Sequence, residues 1–82
     1  MTSADSNWQF VGATPEGRCF IIDGLDVWKH KWRDTKERAQ VKDPNYHEDF
    51  TFDIYEIRHG DRVVAFAAGE FSNGLWGFYV RK

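Results

Sequence analysis

Titratable side chains are densest in the run Tyr46-His47-Glu48-Asp49, which raises the question of a metal site. Zinc needs three or four ligands at defined spacing, such as Cys-x-x-Cys or His-x-x-x-His, and the sequence contains neither pattern. A phosphate-binding loop needs closely spaced glycines, whereas the seven glycines of this chain are scattered. We therefore expect a solvated loop at this run, and neither a metal nor a cofactor.

The candidate nucleophiles are three serines and one cysteine: Ser3, Ser6, Ser72 and Cys19. None of them lies in a recognisable nucleophile elbow, and the cysteine is interpreted as a small buried hydrophobic residue. Asp53 and Glu70, near Tyr79 on one sheet face, could form an acid–base pair. That chemistry uses a deep cleft, which so short a chain can scarcely form. The sequence thus predicts that the protein is not an enzyme.

Aromatic and basic residues alternate in the segment Trp28-Lys29-His30-Lys31-Trp32. In an extended strand, the two tryptophans and the histidine would share one side, where they could stack on the bases of single-stranded nucleic acid while the lysines contact phosphates. The same stripe could instead pack as sheet core, since tryptophan is usually buried. A formal net charge of −2 opposes nucleic-acid binding, because cation–phosphate contacts supply much of that affinity.

The clearest elements are three antiparallel strands within residues 50–81, forming a meander. A two-residue loop at Gly60-Asp61 would place Ile54 opposite Ala67. Asn73-Gly74 favours a type I′ turn, because both central positions of that turn need a positive φ. This second turn would place Phe71 opposite Trp76.

With these registers the meander has two distinct faces. The inner face collects large apolar residues around small ones on the central strand: Phe50, Phe52, Ile54, Phe71, Trp76, Phe78 and Val80 around Ala65, Ala67 and Gly69. The outer face is also partly apolar, and carries Tyr55, Ile57, Val64, Phe66, Tyr79 and Arg81. Because exposed apolar groups of this kind usually mark partner sites, we expect the outer face to be covered by a partner or by the rest of the chain.

The remaining segments predict further strands. Residues 8–13 and 18–23 alternate around the turn Thr14-Pro15-Glu16-Gly17 and predict a first hairpin. Residues 26–41 have two interpretations: a hairpin that turns at residues 34–37, or one helix that Asp26 would cap.

The fold expected from these elements is mostly β: a small five- or six-stranded antiparallel barrel or a strongly bent sheet, similar in size to SH3-like and Sm-like barrels. Residues 1–7 are predicted to be a disordered tail and residues 8–82 a single β domain. A lone cysteine favours a reducing compartment, and no segment has the roughly 20 apolar residues of a membrane span. We therefore expect a cytoplasmic location and no membrane contact.

The function expected is a small non-catalytic interaction domain that binds a protein partner or self-associates as a homo-oligomer. The alternative is a small barrel that binds single-stranded nucleic acid through Trp28 and Trp32 with Lys29 and Lys31. Small-ligand binding and enzymatic function are disfavoured. Aromatic residues dominate interface energetics, and the predicted binding residues are accordingly Trp28, His30, Trp32, Tyr55, Phe66, Tyr79 and Arg81.

Overall fold

The computed structural model describes residues 7–45 and 47–82, so the predicted tail lies outside the described residues except for Asn7. Seven strands follow one another along the chain: β1 Trp8–Thr14, β2 Ile21–Ile22, β3 Leu25–Asp26, β4 Arg33–Lys42, β5 Asp49–His59, β6 Arg62–Glu70 and β7 Trp76–Arg81. A short 3₁₀ turn, Val27–Lys29, separates β3 from β4. The mostly β prediction is confirmed for the described part of the chain.

The main sheet has five strands in the order β1-β7-β6-β5-β4, and every neighbouring pair is antiparallel. Strands β4 to β7 form a meander, and β1 joins its far side by pairing with β7. The predicted barrel is wrong, because β1 and β4 stay unpaired with each other at the two edges. Strands β2 and β3 form a separate two-stranded sheet.

The five-stranded sheet is bent, as one hydrogen bond shows. The hydroxyl of Tyr79 on β7 donates to the carbonyl oxygen of Lys42 on β4 at 2.6 Å, although two strands lie between them. Across a flat sheet those backbones would be about 14 Å apart, farther than a tyrosine side chain reaches. The sheet therefore curves toward the face that carries Tyr79, which we call the concave face.

The β5–β6 hairpin has the predicted register. His59 pairs with Arg62 around the two-residue loop, and Ile54 pairs with Ala67. Gly60 has a φ of +64° at the first central position, where a type II′ turn places glycine.

The predicted β6–β7 register is wrong by one residue. The loop has three residues instead of two: the N–H of Gly74 donates to Phe71 O at 2.9 Å, and the N–H of Phe71 donates to Leu75 O at 2.8 Å. Gly74 takes the left-handed conformation, with a φ of +87°, as in a type I turn followed by a bulge. Ala67 consequently pairs with Tyr79 instead of Val80.

This shift moves alternate residues of β7 between the two faces. Trp76, Phe78 and Val80 lie on the convex face instead of the predicted inner face, and Tyr79 lies on the concave face. The concave core therefore consists of the following residues, with Phe10 and Phe50 packed against it: Trp8, Ala39, Val41, Phe52, Ile54, Ala67, Phe71 and Tyr79.

The predicted outer face of β5 and β6 is the convex face, and the chain itself covers it. Residues 20–32 lie over this face and bury Phe66, Ile57 and Val64. Phe20 stacks on Phe78 with ring centroids 4.7 Å apart, and Val27 is completely buried. The two cores therefore lie on opposite faces of one sheet.

The predicted hairpin between residues 8–13 and 18–23 is wrong, because β1 pairs with a different strand. The turn after β1 is present, since the N–H of Arg18 donates to Pro15 O at 3.1 Å, but β1 pairs with β7. The hairpin in this region is β2–β3, which turns at Asp23 and Gly24. Both residues have positive φ values, +50° and +82°, as a type I′ turn requires.

Both interpretations of residues 26–41 are wrong. Asp26 is an N-cap as proposed, because its carboxylate accepts from Trp28 N–H, but the helix that follows is only the short 3₁₀ turn. The predicted turn at residues 34–37 is a bulge within a single strand β4. Side chains stabilise this bulge: Asp34 accepts from Lys36 N–H, and Thr35 donates its hydroxyl to Ile54 O.

Replacing Gly69 by alanine tests the packing of the concave core. A Cβ at Gly69 would lie 2.6 Å from Cε1 of Phe52, so one of the two must move. We expect Gly69→Ala to lower the free energy of unfolding by about 1–3 kcal/mol, the usual cost of overpacking, in urea denaturation. Ala65→Val, an exposed position on the same strand, should change it by less than about 0.5 kcal/mol. Equal effects of the two substitutions would contradict this packing.

Candidate functional site

Strands β6 and β7 part at one end of the sheet. Their pairing runs from Glu70↔Trp76 to Ala67↔Tyr79, and β7 then continues beside β1 alone, where Arg81 pairs with Trp8. Residues 63–65 of β6 are therefore paired with β5 on one side and with no described strand on the other.

Backbone hydrogen-bonding groups point into this gap. Phe71 directs its N–H and C=O toward β7, and successive residues of a strand point to alternate sides. Ala67, Ala65 and Val63 therefore point the same way as Phe71. Ala67 meets Tyr79 there, whereas Ala65 and Val63 present their peptide groups to an unoccupied strand position.

An apolar groove of about 470 Å³ lies at this position, and we call it the strand groove. It is lined by Val11, Ile21, Ile22, Asp23, Val63, Val64, Ala65, Val80 and Arg81. Val11, Ile21 and Val63 are 40%, 56% and 50% exposed, and they come from three different strands. Their exposed apolar surface is thus gathered in one place, which is typical of a partner site.

Two charged residues border the strand groove. Asp23 is held by Arg62, whose Nη2 lies 3.0 Å from the Asp23 carboxylate. The guanidinium of Arg81 lies 4.7 Å from the centre of the Trp8 ring, and no ion pair of the described residues includes Arg81. Arg81 is therefore a cation at the groove that is held by an aromatic ring and not by a carboxylate.

Of the seven predicted binding residues, Arg81 alone lines the strand groove. Phe66 and Tyr79 are 0% and 2% exposed, so both belong to the core and offer a partner no surface. Tyr55 is half-buried, and its hydroxyl donates to Asp53 at 3.5 Å. His30 is also half-buried, with its ring 5.1 Å from that of His59.

The two predicted tryptophans belong to the aromatic layer over the convex face. Trp28 and Trp32 are half-buried, and their ring centroids lie 5.0 Å apart. The indole N–H of Trp32 donates to Val27 O at 2.6 Å. Lys31 and Trp32 line a second cleft, at the start of β4 beside β5, with Arg33, Glu56 and Arg58. Lys29 does not line it.

Sequence reasoning missed the three apolar residues that define the strand groove. One signal was available: Asp23-Gly24 between apolar residues is typical of a tight hairpin, and this hairpin places Ile21 at the groove. No local signal distinguished Val63 from the buried Val64, because both belong to one continuous apolar run.

The predicted acid–base pair is only partly assembled. Asp53 and Glu70 both line a shallow cavity of about 290 Å³, but Tyr79 lies on the opposite face of the sheet. Asp53 is also held by Arg38, whose Nε is 3.3 Å from Oδ1. In the parts of the chain described here, no three His, Cys, Asp or Glu side chains are grouped so that they could hold a metal ion.

Cys19 is exposed and not buried as predicted. Its pKa is raised, mainly because the thiol hydrogen-bonds to the Asp26 carboxylate, with burial and the charge of Asp26 adding to the effect. For Asp26, burial favours the protonated form, but hydrogen bonds from Phe20 N–H, the Cys19 thiol and Trp28 N–H lower its pKa overall. These interactions favour the thiol of Cys19 over the more reactive thiolate.

No protein-family model matches this chain, and no curated protein or solved structure matches it either. Among the described residues, no helix has the length and apolar character needed to cross a membrane.

Asp26→Asn tests the electrostatic control of Cys19. The amide keeps an oxygen for the backbone donors but removes the negative charge that favours the thiol form, so the pKa of Cys19 should fall. We expect alkylation by iodoacetamide near pH 8 to become several-fold faster. Asp23→Asn removes the same charge outside this hydrogen-bond network and should leave the rate unchanged. Equal rates in wild type and Asp26→Asn would contradict the assignment.

Proposed function

We propose that this domain is a non-catalytic interaction module that binds an extended segment of a protein partner in the strand groove. One observation carries the proposal: Val11, Ile21 and Val63, exposed apolar side chains from three strands, meet where β6 and β7 part. On the side of β6 that faces away from β5, Val63 and Ala65 have no described strand opposite them.

The mode of binding that fits this geometry is the addition of a β-strand. An extended segment would pair its backbone with Val63 and Ala65 on β6. Arg81 lies two residues after Tyr79 on β7, so its peptide group points in the same direction as that of Tyr79. Arg81 therefore borders the position of the added strand from the β7 side. Main-chain hydrogen bonds would supply affinity without sequence preference, and the side-chain walls would supply the preference.

The walls indicate the chemistry of the segment. Alternate side chains of a strand point to opposite faces, so residues on one face of the segment would contact Val63 and residues on the other face would contact Ile21. A carboxylate at one end of the segment would meet Arg81. We therefore expect a short segment with β-branched residues on both faces and one acidic residue.

The buried positions of Phe66 and Tyr79 support the choice of this surface over the aromatic face. A partner that needed those rings would first have to displace the layer formed by residues 20–32 or open the concave core. The strand groove requires neither change.

Selection from a library of short random peptides, displayed on phage, tests the proposal. We expect selected peptides to carry apolar residues on both faces of the added strand and to shift the backbone amide signals of Val63 and Ala65 in NMR spectra. Val63→Asp should weaken their binding at least about tenfold, which corresponds to about 1.4 kcal/mol, because it places a charge in an apolar groove. Folding should change by less than about 0.5 kcal/mol, since the position is exposed.

Thr51→Asp is the matched control, because it puts the same carboxylate on an exposed strand position outside the groove. Peptide binding should survive this change. Peptides that bind Val63→Asp as tightly as wild type would refute the strand groove as their site. Sedimentation of the wild-type chain completes the test: a dimer that Val63→Asp dissociates would identify a second copy of the chain as the occupant.

A further inference from the structure

Positive charge is concentrated in the second cleft, at the start of β4 beside β5, although the whole chain has a formal net charge of −2. The cleft is lined by Lys31, Trp32, Arg33, Glu56 and Arg58, and we call it the tryptophan cleft. Three cations there face one carboxylate, and Nε of Arg33 already donates to Glu56 at 2.9 Å. No carboxylate of the described residues forms an ion pair with Lys31 or Arg58, so both cations are available to an anionic ligand.

The aromatic part of the cleft is held rigidly. Trp32 is fixed by the hydrogen bond from its indole N–H to Val27 O and by contact with Trp28, Tyr55 and Phe66. Trp76 and Phe78 also contact this ring, and Trp32 nevertheless lines the cleft. A rigid aromatic surface loses little conformational freedom when another ring packs on it.

We propose that the tryptophan cleft binds single-stranded nucleic acid, with one base on Trp32 and flanking phosphates at Lys31 and Arg58. The volume of about 450 Å³ lies within the range of small-ligand sites, and a stacking platform beside cations is the usual arrangement for single strands. A duplex does not fit this role, because its bases are already stacked. An acidic peptide would use the cations but would leave the tryptophan without a partner.

This inference is independent of the proposed function, because no residue lines both the strand groove and the tryptophan cleft. The site also differs from the one expected from the sequence, where Lys29 and Lys31 were the cations. In the structure the second cation at the cleft is Arg58 of β5, and Trp28 packs against Trp32 within the aromatic layer.

The test is an NMR titration of the labelled domain with an oligothymidylate, read at the tryptophan indole N–H signals. We expect the Trp32 signal to shift, together with the backbone amides of Lys31 and Arg58. The Trp8 indole, which packs in the concave core, should not move. Thymidine monophosphate should bind more weakly at the same residues, and inorganic pyrophosphate should leave the Trp32 signal in place.

Lys31→Gln combined with Arg58→Gln should weaken oligothymidylate binding and reduce the slope of log affinity against log salt by about 1.4, since each phosphate contact on a single strand contributes about 0.7. Arg18→Gln combined with Lys36→Gln removes the same net charge from exposed positions outside the cleft and should preserve binding. Thermal unfolding would confirm that both variants fold, and Lys31→Gln alone provides a second, milder variant that should also weaken binding.

Four outcomes would overturn the proposal. They are equal loss of binding in the two double variants, equal affinity for thymidine monophosphate and the oligomer, a Trp32 shift with pyrophosphate alone, and tighter binding of an oligoglutamate than of oligothymidylate. None of these results bears on peptide binding in the strand groove, so the two proposals fail separately.

Discussion

The three-residue loop between β6 and β7 is the constraint on which the two-sided core depends. The hydrogen bond from Gly74 N–H to Phe71 O sets the register of β7, and the register decides which of two adjacent rings faces which side. Phe78 thereby meets Phe20 on the convex face, while Tyr79 reaches across the concave face to Lys42. The hydrogen bond across the bent sheet and the contact of Phe78 with residues 20–32 both depend on this register.

Much of the sheet could be predicted because its signals are local. The β5–β6 register follows from a two-residue loop and strict alternation, and the structure has it. The β6–β7 register could not be chosen in the same way, because β7 carries large residues at adjacent positions, so either register buries a ring. The bulge in β4 was mistaken for a turn for a related reason: the side-chain hydrogen bonds of Asp34 and Thr35 favour a local reversal, and only the long partner strand β5 keeps the chain extended.

The candidate sites were less predictable than the sheet, because exposure is decided by tertiary structure. Arg81 was predicted as a binding residue from a β7 register that the structure does not have, and Trp32 was predicted from its stripe of aromatic residues. Val63 was not predicted, because its exposure arises where β7 leaves β6, which no local pattern encodes.

The aromatic layer also has a free-energy cost that composition does not reveal. The indole nitrogens of Trp28 and Trp76 are buried without a hydrogen-bond partner among the described residues, an arrangement that ring packing must offset.

The parting of β6 and β7 has a physical origin in β1. The pairing of β1 with β7 is interrupted between Phe10 and Gly12, and such a bulge increases the local twist of a strand pair. Gly12 lies against the ring of Phe20, where a Cβ would clash, so residues 20–32 fix the bulge in place. Beyond Tyr79, β7 pairs with β1 and not with β6, which leaves a short edge on β6. Long exposed edges invite aggregation, whereas an edge of two peptide groups can pair only with a short segment that also fits the apolar walls. The same packing that covers the convex face therefore limits the length of the segment that we propose for the strand groove.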